Sequence, residues 1–286
     1  MLLKNIYRII PREHAILFKD GYHLILKQYL KLFYLLKYGK TDMFNDINVE
    51  TITSCNRRCE YCPNSIFDRS LKQNEELMHE ELFKNIIDNL KSINFTGRIS
   101  PHFYGEPLLD RRLMNLMKYA YDTLPRAKLV IYTNGDLLDL NTLKNLYEVG
   151  VRDYVITLHG ENTKELNKNR IINLKNDMRK NRMGVHINFI EINYNSWLSN
   201  RGGLVKIKNV SKNIHCQDST NPLVINYKGD VLLCCNDYLG RVKFGNVTEH
   251  SLLEIWDRES FKKVRKEIKN KIFKLDICKK CVGDTQ

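Results

Sequence analysis

An α/β fold on a parallel sheet, followed by a smaller C-terminal module, is what this 286-residue sequence predicts. Three observations carry that reading. Strand-like and helix-like stretches alternate about five times between residues 47 and 192, the pattern of βαβ units. The chemically distinctive residues fall just after the strand-like stretches, where α/β sheets bind ligands. Beyond about residue 210 the alternation gives way to a hairpin pattern and a second group of cysteines.

The elements follow in order. "INVETIT" (47–53) alternates apolar and polar residues as a strand does and runs into "SCNRRCEYCPNS" (54–65). "LFKNIIDNL" (82–90) sets Phe83, Ile86, Ile87 and Leu90 on one helix face. "RISPHFYG" (98–105) reads as a strand, and "LMNLMKYAY" (113–121) repeats the helical stripe with Leu113, Leu116, Met117 and Ala120. A short apolar strand (128–135) ends in "TNG", and a helix over 138–150 stops at Gly150. "DYVITLHG" (153–160) is a strand, a polar helix reaches about Arg182, and "GVHINFIEI" (184–192) is a further strand. "GLVKIK" (202–208) is the candidate for a sixth. In the C-terminal module, "PLVINYKGDVLLCC" (222–235) reads as two strands around Lys228-Gly229-Asp230, and 251–268 as one helix. The domain reading is therefore an N-terminal helical extension over 1–45, an α/β body over 46–210 and a small module over 211–286.

Hydrophobic content of 43% and charged content of 28% are those of a folded chain, which excludes disorder as the organising feature. No solenoid repeat is present. The net charge is +13. Lys and Arg spread along the chain suit a generally basic surface, while the densest cluster, "FKKVRKEIKNKIFK" (261–274), leaves a polyanion-binding face such as one for tRNA as the sharper alternative. Its apolar positions Phe261, Val264, Ile268 and Ile272 recur at helical spacing, which favours one solvated helix face. The stretch 15–38 is apolar and aromatic but broken by Lys19, Asp20, Lys27, Lys31 and Lys37, so it is too short between charges to span a bilayer. Two readings of it stand: a helix packed on the main domain, or a basic amphipathic helix contacting a membrane surface or a partner. The N-terminus resembles no secretory signal, so a cytoplasmic location with reduced thiols is expected.

The eight cysteines are Cys55, Cys59, Cys62, Cys216, Cys234, Cys235, Cys278 and Cys281. Tight clustering without a secretory signal points to metal rather than disulfides. The first group, C-x3-C-x2-C, matches poorly the paired C-x2-C knuckles of structural zinc. Three thiolates would leave one iron of a four-iron cubane without protein sulfur.

This loop, with Tyr61 before its last cysteine and a strand before its first, resembles the radical S-adenosylmethionine (radical SAM) superfamily. The resemblance covers about 46–283 and implies a partial (βα)6 barrel. It implies a [4Fe–4S] cluster on Cys55, Cys59 and Cys62 whose open iron is chelated by SAM. One electron from that cluster cleaves SAM, and the resulting 5′-deoxyadenosyl radical takes a hydrogen atom from substrate. "YGEP" (104–107) resembles the motif that holds the SAM amino group, with Tyr104 in place of the usual first glycine, so Gly105 and Glu106 are candidate cofactor residues, and a carboxylate suits an ammonium. "TLHG" (157–160) resembles a later SAM-contacting segment: Thr157 would supply a hydroxyl and Arg170 a charge for the SAM carboxylate, while His159 departs from the commoner acid. Asn134 reads as a turn residue, and Glu191 is a suspect for the substrate's proton acceptor.

The downstream cysteines resemble the SPASM/twitch subgroup, whose small α+β extension binds auxiliary iron–sulfur clusters. Cys216, Cys234, Cys278 and Cys281 stand at matching positions and suit one fully ligated second [4Fe–4S] cluster, with zinc as the alternative; Cys235 is left over as a buried thiol that binds no metal. Within the subgroup the spacing is most similar to that of an aminocyclitol dehydrogenase. The resemblance thus implies an oxidoreductase that removes hydrogen from a sugar- or aminocyclitol-like small molecule, with the auxiliary cluster accepting the electron and a flavodoxin or ferredoxin as reducing partner. The same chemistry on a peptide or protein is the alternative, and a non-enzymatic iron–sulfur or zinc protein is the alternative of another class.

Overall fold

The computed structural model describes residues 32, 34–160, 164–192, 196, 198–207, 216 and 221–283. The chain divides into two units, Met1–Met43 and Phe44–Gln286. In the first, residues 34–38 are helical, with the rings of Tyr34 and Tyr38 6.1 Å apart on successive turns. The rest of the expected N-terminal helix lies outside the described residues. No helix among the described residues is long and apolar enough to cross a membrane.

The second unit is built on one eight-stranded sheet of order β5-β4-β3-β2-β1-β6-β7-β8. Strands β1 (Asp46–Val49), β2 (Arg98–Ser100), β3 (Lys128–Thr133), β4 (Asp153–Leu158) and β5 (His186–Glu191) are parallel neighbours in sequence order. Helices α1 (Glu80–Ser92), α2 (Leu113–Thr123), α3 (Leu140–Glu148) and α4 (Lys164–Lys180) connect them, and consecutive helices touch. Their apolar stripes seat them as the spacing predicts: Phe83, Ile86, Ile87 and Leu90 of α1 and Leu113, Leu116, Met117 and Ala120 of α2 are buried. On α4 only Ile171 and Met178 are buried, in keeping with its polar sequence. Asp139 starts α3 by accepting a hydrogen bond from the Thr142 N–H at 2.7 Å, and Gly150 follows its end at φ +91°. A Cβ on Gly150 would also lie 2.1 Å from the Tyr121 ring, so the position admits no side chain.

The sixth parallel strand is not where the sequence pattern sets it. Arg201, Gly202 and Gly203 all have left-handed φ, at 54°, 65° and 83°, and three such residues in a row cannot continue a strand. The described residues of 202–208 form turns instead. The sixth strand is β6 (Pro222–Ile225), which pairs in parallel with β1 from Asp46↔Pro222 to Val49↔Ile225. A hairpin turn at Gly229 (φ +87°) leads into antiparallel β7 (Asp230–Leu232) and then β8 (Lys243–Asn246). The C-terminal segment therefore extends the main sheet by hydrogen bonds across the position of the expected boundary near 210.

The helix expected over 251–268 is two. Helix α5 (Leu252–Trp256) opens on a capping box of Ser251 and Glu254, and α6 (Glu259–Lys269) starts after Arg258 leaves helical geometry at ψ 133°. The break has a packing reason. Trp256 and Phe261, five residues apart, would point about 140° apart on one straight helix. Bent, both are buried and meet edge to face at 5.2 Å, with the buried Arg265 guanidinium 3.7 Å from the Trp256 ring centre. The short α7 (Asp276–Val282) closes the described chain at Gly283. Ile272, read as part of the apolar stripe, lies past the end of α6 and is exposed.

Candidate functional site

The carboxyl ends of β1–β5 bring the cysteine loop and the segments after Ser100, Thr133, Leu158 and Glu191 around one cavity of about 590 Å³. Cys55, Cys59, Cys62, Tyr61, Gly105, Glu106 and Thr157 all line it, as do Asn134, His159 and Glu191. Arg170 does not line it. Its guanidinium donates to the carbonyls of Leu138 (2.5 Å) and Gly135 (2.6 Å), so it clamps the loop after β3 from helix α4 and does not face the cavity.

The loop at Gly105 sits where only glycine fits. A Cβ there would be 2.0 Å from the Ile52 carbonyl oxygen, because the loop runs hard against the chain leaving β1, and the Glu106 N–H donates to the Ser54 carbonyl at 2.8 Å. That contact fixes Glu106 beside the cysteine loop. Its carboxylate is buried and held by three donors: Thr133 Oγ1 (2.6 Å) and the Leu108 N–H (3.2 Å) on Oε1, and the Asn134 N–H (2.9 Å) on Oε2. Burial pushes its pKa up, and these hydrogen bonds partly oppose the shift. Oε1 has both lone-pair directions filled, whereas Oε2 has one left for a further donor. A cationic donor there would relieve the cost of burying the charge.

The cysteine loop is pinned to the loop after β3 by Arg57, a bidentate partner of Asp136 with both N–O distances 2.6 Å, and by Asn56, which bonds Asp136 (3.0 Å) and Asn134 (2.8 Å). Sequence reasoning missed this pair; the only signal was an arginine inside the cysteine loop and an acid directly after "TNG". The Tyr61 hydroxyl is hydrogen-bonded to Nδ1 of His159, whose ring lies nearly parallel to it, and Cys59 Sγ is 3.6 Å from the same nitrogen. Burial, with the Arg57 charge, lowers the His159 pKa to about 4, so the ring is neutral at neutral pH. His159 is thus a partner of the cysteine loop. Glu191 is exposed and paired with Lys168 at 2.5 Å, which lowers its pKa and makes it a poor proton acceptor.

Burial raises the pKa of all three loop thiols, Cys55 to about 11. Their ionised forms therefore need a cation, as metal binding supplies. Among the described residues no three His, Cys, Asp or Glu side chains converge as ligands of a single ion would. Three thiols lining one cavity would suit separate irons of a cluster.

Cys216, Cys234, Cys278 and Cys281 line a second, apolar cavity with Leu233, Phe273, Ile277 and Val282. It is small, about 20 Å³, so the four thiols that share its lining, and not its volume, are what suit a cluster. Burial, then the neighbouring Cys216 and Cys281, push Cys278 up to about 12. Asn236 Nδ2 donates toward Cys281 Sγ at 3.8 Å, and Ser199 Oγ lies 3.9 Å from it; such contacts tune a cluster's potential. Cys235, expected to be buried, is half-buried and lines the first cavity, so adjacent cysteines face different cavities. His102, Tyr132 and Arg201, which carried no sequence signal, share the first cavity with it, as does Tyr104 of the "YGEP" segment.

Comparison with known proteins agrees with this geometry. Residues 49–226 match the Radical SAM superfamily, and residues 216–282 match SPASM, an iron–sulfur cluster-binding domain. The chain is 34% identical over 252 residues to the S-adenosyl-L-methionine-dependent 2-deoxy-scyllo-inosamine dehydrogenase of Niallia circulans, covering 84% of this chain and 93% of that one. The crystal structure of BtrN in complex with AdoMet and 2-DOIA superposes with a TM-score of 0.72 at 33% identity, over 83% of this chain and 92% of that one. At 16% identity, anSMEcpe with bound AdoMet shares the fold, with a TM-score of 0.53 over 78% of this chain and 80% of that one.

Proposed function

Since the chain belongs to the radical SAM superfamily and carries a SPASM domain, we propose that it is a SAM-dependent dehydrogenase that oxidises an alcohol on an aminocyclitol-like small molecule. The observation that carries this reading is the pairing of two unlike thiol sets on either side of Cys234 and Cys235: three in a roomy cavity beside Glu106, and four in a closed apolar one. The substrate class is supported by the dehydrogenase relative, matched over 93% of its length.

Cys55, Cys59 and Cys62 would hold a [4Fe–4S] cluster that, with SAM bound, would supply one-electron reductive cleavage and so hydrogen-atom abstraction. The chain's own residues then have distinct tasks. Glu106 offers the remaining lone pair of Oε2 to the SAM ammonium. Thr157 presents a hydroxyl at the far wall, and Tyr61 with His159 holds the last turn of the cysteine loop. Arg57 and Asp136 keep that loop in register with the loop after β3, and Arg170 secures the latter from behind. The buried walls Phe103 and Tyr104 would exclude water from the reacting end of the cavity. Cys216, Cys234, Cys278 and Cys281 would hold a second cluster, which would supply an acceptor for one electron. A flavodoxin or ferredoxin supplies the reducing electron.

Anaerobic reconstitution tests this. About 8 irons per chain are expected, with reductant-dependent release of 5′-deoxyadenosine from SAM and one ketone formed per 5′-deoxyadenosine when 2-deoxy-scyllo-inosamine is supplied. Zinc without iron, or no SAM cleavage under strong reductant, overturns the reading; cleavage without ketone overturns the substrate class only.

A further inference from the structure

Oxidising an alcohol removes a hydrogen atom from carbon, and the O–H proton must also find an acceptor. At neutral pH, carboxylates and neutral imidazoles are the side chains basic enough to take it. Among the described residues, two of each line the larger cavity: Glu106, Glu191, His102 and His159. Three of these are engaged elsewhere. Glu106 accepts three hydrogen bonds and has one lone pair left, which the SAM reading uses. Glu191 is paired with Lys168 at 2.5 Å. His159 is bonded through Nδ1 to the Tyr61 hydroxyl, beside Cys59. His102 has no such engagement.

The chain around His102 fixes its ring. Strand β2 ends at Ser100, Pro101 follows, and the His102 N–H donates back to the Ser100 carbonyl at 2.9 Å. After this tight turn the ring lies on Tyr132 of β3, with centroids 4.7 Å apart and planes at 20°. Nδ1 is buried without a hydrogen-bond partner among the described residues, which leaves Nε2 as the ring nitrogen that can meet a ligand in the cavity. Burial, then the Arg201 charge, lowers the pKa to about 4, so the ring is neutral at neutral pH and can accept a hydrogen bond. We propose that His102 is the catalytic base: its Nε2 accepts a hydrogen bond from the hydroxyl being oxidised and takes that proton as the carbonyl forms. The inference rests on the dehydrogenase reading. The carbon, having lost its hydrogen atom, gives up one electron to an acceptor of the iron–sulfur class. The O–H bond then breaks with its pair kept on oxygen, C=O is complete, and the proton is on Nε2. Loss of the electron makes the hydroxyl a protonated carbonyl, a far stronger acid than imidazolium, so a ring of lowered basicity is sufficient.

The test uses the reconstituted full chain with SAM, dithionite and 2-deoxy-scyllo-inosamine deuterated at the carbon to be oxidised. Deuterium transferred to 5′-deoxyadenosine reports hydrogen abstraction, and ketone reports the completed oxidation. His102→Gln keeps a polar side chain that cannot take the proton, and His102→Phe keeps a ring to stack on Tyr132 and removes both nitrogens. Both variants are expected to transfer deuterium as the wild type does, with ketone per deuterium transferred falling about 100-fold. Substrate affinity of His102→Gln, measured by equilibrium dialysis with SAM and no reductant, is expected to stay within about threefold of the wild type, since the base acts in the transition state. The iron content of each variant checks that both clusters are in place. An unchanged ratio of ketone to deuterium in both variants overturns the inference. So does a loss of ketone matched by an equal loss of substrate affinity, which makes His102 a binding residue only, and so does loss of deuterium transfer at full iron content, because the base acts after abstraction. Ketone absent from the wild type as well indicts the dehydrogenase reading, whereas ketone from the wild type with an unchanged ratio in the variants indicts this inference alone.

Discussion

Glu106 shows how much depends on one atom. Two of its donors fill Oε1, and a single lone pair on Oε2 is left for a further donor, which we propose is the SAM ammonium. Glu106→Gln removes the charge and places an amide N–H₂ where acceptors are required. A hydrogen bond to a charged group is worth about 1.5–3 kcal/mol, so SAM affinity should fall by about 10- to 100-fold, measured by equilibrium dialysis on iron-loaded protein. An effect below threefold would remove Glu106 from the cofactor site. Gly105 and Glu106 were legible because the motif survives in two letters. The reason for the glycine, the Ile52 carbonyl, lies fifty residues away in sequence and was not legible. His102 makes a prediction about pH. Burial, reinforced by Arg201, lowers its pKa from 6.5 to about 4, and it stacks on Tyr132 at 4.7 Å. The folded state therefore binds fewer protons than the unfolded chain between those values. Its contribution is present above pH 6.5 and lost as pH falls towards 4. Urea midpoints should drop over that interval more steeply in the wild type than in His102→Gln; parallel curves would contradict the assignment.

Among the elements, periodicity served helices better than strands. The stripes of α1 and α2 were readable residue by residue because a helix face repeats over many positions. Strands of three to six residues carry little pattern, and "GLVKIK" looked like one until its left-handed glycines are considered. The break between α5 and α6 was hidden for another reason: the cost of a straight helix appears only when Trp256 and Phe261 must share one core. Helix α4 carries the clearest correction of role. Arg170 faces the carbonyls of Gly135 and Leu138, so it ties α4 to the loop bearing Asn134 and Asp136. Arg170→Ala should lower stability by about 1–3 kcal/mol through those unpaired carbonyls, read from urea unfolding. Arg170→Lys should restore part of it. If Arg170 instead bound the SAM carboxylate, the loss would appear in SAM affinity with stability unchanged.

At the level of the whole molecule, sequence and structure agree on the sheet and on which cysteines belong together. They part over where Cys235 lies: strand alternation turns it away from Cys234, as the fold does, but it lines the larger cavity and is only half-buried. The two sites are therefore distinguishable by mutation. Cys59→Ala should abolish 5′-deoxyadenosine release, while Cys278→Ala should leave release intact and remove ketone formation, with product analysis by mass spectrometry as the measurement. The reverse outcome would mean the two sites are assigned the wrong way round. The turn through Cys234 and Cys235 has a consequence for evolution of the substrate range. On the dehydrogenase reading, the wall that would meet substrate at Cys235 and the thiol of Cys234 that would hold the electron acceptor belong to residues joined by one peptide link, about 3.8 Å from Cα to Cα. New substrates can then be admitted by reshaping the opposite wall, around Ile190 and Leu198, without rebuilding the path by which the electron leaves.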